Sequence, residues 1–151
     1  MVPRKENEMG RCRMNKKDLT DLVITAFEGG IDYWCFRARE YVAIEKVGDK
    51  TRYRVMTKEE RAEWRDEYGC GPYTNADFWE GKKRGYALWF EEGEKPVLLT
   101  MTKLRKAFDN EYFDDELGKK VLKRFANPGE ADAWDADTLV QIAVFGEVVY
   151  G

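Results

Sequence analysis

A chain of 151 residues, 43% hydrophobic and 36% charged, has the size at which one domain buries a core without disulfide or metal staples. Its formal net charge of −3, with both signs mixed along the chain, leaves a weak overall field and speaks against general coating of DNA. Histidine is absent, which removes Ser-His and Cys-His nucleophile pairs, imidazole bases and most zinc or iron sites.

Residues 1–17 carry Arg4, Lys5, Arg11, Arg13, Lys16 and Lys17 against Glu6 and Glu8, and are expected to form a basic, flexible tail. Asn15 can cap a helix whose apolar positions Leu19, Leu22, Val23, Ala26 and Phe27 recur at helical spacing and which ends at Gly29-Gly30. Tyr33 to Val47 and Thr51 to Met56 read as a hairpin turning at Gly48-Asp49. Thr57 and Glu60 match a capping box that opens a charged helix through Tyr68.

A second hairpin is expected from Gly85–Phe90 to Val97–Met101. Thr102 then caps a helix to about Tyr112, and the acids Asp114, Asp115 and Glu116 open another, Leu117–Ala126, whose basic end carries Lys119, Lys120, Lys123 and Arg124. After the break at Asn127-Pro128-Gly129, Asp135 or Asp137 caps a last helix, Thr138–Phe145, apolar on nearly every side except Gln141 and so expected to lie centrally. The fold class is therefore α+β: an antiparallel sheet of about four strands from two hairpins, packed by four to five helices. Residues 18–151 form its single domain.

Cys12, Cys35 and Cys70 are odd in number and widely spaced, so neither a disulfide framework nor a zinc site is expected and a reducing compartment, the cytoplasm, fits. No apolar run reaches membrane-spanning length and the N-terminus lacks a signal-peptide pattern, so no membrane association is expected.

Two stretches, Leu22-Val23-Ile24-Thr25-Ala26-Phe27-Glu28-Gly29-Gly30-Ile31-Asp32-Tyr33-Trp34-Cys35 and the ending Asp135 to Gly151 with its Phe145-Gly146-Glu147-Val148-Val149-Tyr150-Gly151, resemble a family of small proteins encoded by bacteriophages and prophages. Weaker similarity at Gly71-Pro72-Tyr73-Thr74 and Phe78-Trp79-Glu80 extends the resemblance over most of the chain beyond the basic tail. It implies an origin and a bacterial host cell. It transfers no catalytic or binding residues.

Candidate binding residues gather at Glu28, Gly29, Gly30, Asp32, Tyr33 and Trp34, where two glycines between a helix end and a strand start permit close backbone approach beside two aromatics. The competing reading is a helix terminus followed by core rings. Trp79 and Glu80 lie in an irregular segment, where Trp79 could anchor a partner or plug the loop onto the core. Asp132, Asp135 and Asp137 lack the glycine and terminal glutamate of a calcium loop and are read as caps, while Glu147 beside an apolar helix end could be a partly buried carboxylate. No phosphate-binding glycine loop is present, and the aromatics show no interleaving with a basic strip.

The leading expectation is a non-enzymatic accessory protein, without catalytic residues, cofactor or metal, that binds a host protein and inhibits a defence or regulatory component. A second is a module holding a nucleotide-like small molecule at Tyr33, Trp34 or Trp79. A third is nucleic-acid binding through the basic tail and the lysines of the Leu117–Ala126 helix.

Overall fold

In a computed structural model describing residues 10–80, 83–127 and 130–151, five α-helices and a four-stranded antiparallel sheet make an α+β fold. Helix α1 spans Lys16–Thr25, with the Asn15 side chain accepting from the Asp18 N–H. It runs on into a wider π-helical turn, Ala26–Gly30. Its apolar stripe, Leu19, Leu22, Val23 and Ala26, is buried, as helical spacing requires.

The chain before α1 is not a loose tail from residue 10 onward. Cys12 belongs to the core, the Arg11 N–H donates to Asp109, and the Arg11 guanidinium pairs with Asp114 at 2.7 Å. Residues 1–9, with Arg4 and Lys5, lie outside the described residues.

The sheet has the order β2-β1-β3-β4, with β1 Arg37–Val47, β2 Lys50–Val55, β3 Arg84–Trp89 and β4 Val97–Leu99. Both expected hairpins form, and β1 joins them by pairing with β3 from Arg37↔Trp89 to Val42↔Arg84. The first strand begins four residues later than the composition suggests, because Trp34 and Cys35 donate back to the Ile31 carbonyl in a tight turn. A bulge between Ala43 and Glu45 shifts the β1–β2 register by one residue.

One face of the sheet packs into the core. Ala38, Val42, Tyr86, Leu88 and Leu99 point that way, and Tyr86 is ringed by Phe27, Phe78 and Trp79 at centroid distances of 5.0, 5.3 and 5.0 Å.

Helix α2, Lys58–Tyr68, has both hydrogen bonds of the expected capping box. Helix α3, Met101–Ala107, is capped by Thr100 rather than Thr102, since β4 ends at Leu99 and the helix follows at once. It stops at Ala107, before a short 3-10 turn over Glu111–Asp114. Helix α4, Glu116–Phe125, is capped by Asp115; Pro128 and Gly129 beyond it lie outside the described residues.

Helix α5, Ala133–Phe145, begins five residues before its expected start. Its cap is Asp132, and the two aspartates proposed for that role are buried: Asp135 closes the capping box and takes a bidentate pair from Arg124 at 2.7 Å, while Asp137 faces inward. Residues Asp135–Ile142 are buried without interruption, the central position the sequence suggests. Glu147, by contrast, is exposed. All three cysteines are free thiols, and among the described residues no helix is long and apolar enough to cross a membrane.

Candidate functional site

The corner after α1 is brought together with the C-terminal segment, so residues 22–35 and residues 135–151 form one structural unit. Asp137 accepts from Trp34 Nε1 at 2.7 Å, from the Tyr33 hydroxyl at 2.6 Å and from Gln141 Nε2 at 2.9 Å. The Trp34 indole lies parallel to the Tyr150 ring, with an interplanar angle of 1° and a centroid distance of 5.5 Å. Tyr33 is exposed overall while its hydroxyl bonds to Asp137; burial of that hydroxyl, and then the hydrogen bond to Asp137, push its pKa up to about 12.

Gly30 sits against the start of α5, where an added Cβ would come within 2.6 Å of the Ala133 carbonyl oxygen. These contacts make Gly30 and Trp34 parts of the packing between elements, leaving Glu28, Gly29 and Asp32 exposed around them. Trp79 is 1% exposed and is a core residue, not a surface anchor. Its neighbour Glu80 is exposed and paired with Arg84 at 3.0 Å. Asp137, Gln141 and Tyr150 were not among the candidate residues, although residues 135–151 contain all three.

Between this corner and the start of β1 lies a cleft of about 320 Å3 bordered by Ile31, Asp32, Cys35, Arg37 and Glu40. Burial pushes the Cys35 thiol up, so the nucleophilic thiolate is disfavoured there. Burial also pushes the Glu40 carboxyl up against the opposing pull of Arg61, whose Nε is 3.8 Å away.

The other face of the sheet is built differently. Side chains alternate across a strand and directly paired residues share a face, so the register assigns Arg37, Arg39 and Tyr41 of β1, Tyr53 and Val55 of β2, and Ala87 and Trp89 of β3 to the side away from Tyr86. Past the bulge, the pairing of Lys46 with Thr51 returns Lys46 to this side and turns Glu45, paired with Arg52, to the other. Leu98 of β4, opposite Ala87, completes the face.

Ala87, at the middle of the sheet, is fully buried and counts with the core, whereas the others stand outside the hydrophobic cluster: Arg37, Arg39 and Lys46 are exposed, and Tyr41, Tyr53, Val55, Trp89 and Leu98 are half-buried. Tyr41 and Tyr53 stack at 5.5 Å, and the Arg37 guanidinium lies 4.7 Å from the centre of the Trp89 ring. Both strand glutamates, Glu40 and Glu45, alternate away, so among the described strand residues the face has three cations and no carboxylate. The acidic turn Glu91-Glu92-Gly93-Glu94 follows β3 at the Trp89 end.

This is the interleaving of aromatic and basic side chains that the linear sequence did not display. The alternation Arg37-x-Arg39-x-Tyr41 was its one legible trace. Tyr53 and Trp89 are distant in sequence and join it only through strand pairing. No family model matches the chain, and no significant match to it was found among curated proteins or solved structures.

Proposed function

We propose that this is a phage- or prophage-encoded accessory protein that acts in the host cytoplasm by binding a host macromolecule rather than by catalysis, and that the open face of the sheet is its binding surface. The composition of that face carries the reading. A sheet surface that displays Tyr41, Tyr53 and Trp89 with Arg37, Arg39 and Lys46, outside the core, has the aromatic and arginine enrichment of recognition surfaces. The alternative corner at Tyr33 and Trp34 supports the reading indirectly, because its polar groups are already engaged with Asp137, Gln141 and Tyr150.

The test is capture from host lysate by the tagged protein and by an Arg39→Glu, Tyr53→Ala variant, with proteins and nucleic acids in the eluates both identified. A specific macromolecule retained by the parent and lost by the variant supports the proposal. Retention of the same partner by both proteins rejects the open face as the surface. Turnover of a small molecule by the pure protein rejects the non-catalytic role.

A further inference from the structure

Resting on that reading, we infer that the occupant of the open sheet face is single-stranded nucleic acid. The protein is net negative, yet this face gathers Arg37, Arg39 and Lys46 and excludes the strand carboxylates, an arrangement complementary to a polyanion and unlike the protein's mixed surface.

Chemistry narrows the polyanion. Tyr41 and Tyr53 present a stacked aromatic pair, and Trp89 adds a third ring under the Arg37 guanidinium. Unpaired bases stack on such rings and on arginine planes, whereas a duplex keeps its bases stacked inside and offers mainly phosphates. A surface evolved only for phosphate would have no use for three aromatic rings.

Geometry sets the extent. Arg37 and Lys46 are nine residues apart on β1, roughly 30 Å at the rise of an extended strand, long enough for a short single strand of about four nucleotides or more. The acidic turn Glu91–Glu94 follows β3 beyond Trp89 and disfavours phosphates past that ring, so the nucleic acid occupies the stretch between Trp89 and Lys46. The basic residues of α4 are not part of this face.

The experiment is fluorescence anisotropy with labelled 12-nucleotide single strands of mixed sequence, as DNA and as RNA, beside the corresponding duplex. Three phosphate contacts at a slope of about −0.7 each predict that single-strand affinity falls about twenty-fold between 50 and 200 mM salt. Arg37→Ala with Arg39→Ala removes most of that salt dependence. Tyr53→Ala and Tyr41→Ala each weaken binding about tenfold while leaving the salt slope in place, the signature of lost stacking.

Lys119→Ala with Lys123→Ala, and deletion of residues 1–9, leave binding within twofold. Circular dichroism and thermal melting confirm that each variant is folded, and Arg39→Glu provides a second, fully surface-directed probe. Absence of binding to either strand, tighter binding to the duplex, or loss only on altering α4 or residues 1–9 overturns the inference. If a host protein is captured through the same face, lost in Arg39→Glu, Tyr53→Ala, and no oligonucleotide binds, the inference fails and the broader proposal stands. Loss of both rejects the two together.

Discussion

Gln141 holds Tyr150 by both ends of its side-chain amide: Oε1 accepts from the Tyr150 N–H at 2.7 Å, and Nε2 donates to the Tyr150 carbonyl at 2.9 Å. Oε1 also accepts from the Val149 N–H at 2.8 Å. One buried amide on α5 thus stands in for a strand partner to the C-terminal segment. The same nitrogen reaches Asp137 and, through it, Trp34.

Replacing Gln141 with Leu keeps the volume but removes the clamp and one donor to a buried carboxylate. The expected cost is about 1–3 kcal/mol in urea unfolding, with increased proteolysis after Phe145. Unchanged stability together with unchanged protease resistance of the C-terminal residues would show that the clamp contributes nothing.

Tyr33 makes a prediction in alkali. Its folded pKa of about 12 exceeds the ordinary 10.0, so above pH 10 the unfolded chain releases this proton first. Stability therefore falls as pH rises from 10 toward 12. Tyr33→Phe removes that component of the slope, as read by urea midpoints across the range; an identical slope in parent and variant contradicts the hydroxyl's inward placement.

Two glutamates pull in opposite directions in acid. The Arg54 hydrogen bond, followed by the Thr57 N–H, holds Glu60 down at about 2 from the ordinary 4.5, so its contribution is present above 4.5 and is lost as pH falls toward 2. Its exposure keeps the effect small. Glu40, raised by burial, destabilises the fold when charged and is relieved by acidification. Glu60→Gln should flatten the acid loss, whereas Glu40→Gln should raise the melting temperature at neutral pH and converge with the parent in acid.

Gly118 lies where an added Cβ would meet the Tyr112 carbonyl oxygen at 1.9 Å and the Phe113 Cα at 2.7 Å. Helix propensity alone favours alanine there by about 1 kcal/mol. The clash is with backbone and cannot be relieved by a rotamer change, so Gly118→Ala is expected to destabilise by about 3 kcal/mol or more. A stabilised variant would refute the close approach of α4 to the Glu111–Asp114 turn.

Local signals were legible wherever they act within a few residues. Asn15 and the Thr57–Glu60 box mark helix starts, Gly48-Asp49 marks a hairpin turn, and the unbroken apolar run around Leu139 marks a central helix. Where two caps compete, the pattern misleads: Thr100 prevails over Thr102 because β4 has ended, and Asp132 over Asp135 and Asp137 because Arg124 and the indole of Trp34 claim the latter pair.

The sequence by itself determined the α+β class, the two hairpins and the burial of the last helix, because alternation, helical periodicity and capping chemistry are short-range. Only the tertiary structure decided that β1 pairs with β3, that Trp79 is core, that Gln141 and Asp137 gather Tyr33, Trp34 and Tyr150, and that Arg39, Tyr53 and Trp89 share one face. Each of those relationships joins residues far apart in the chain, and strand register and helix docking depend on the free energy of the whole core rather than on any local pattern.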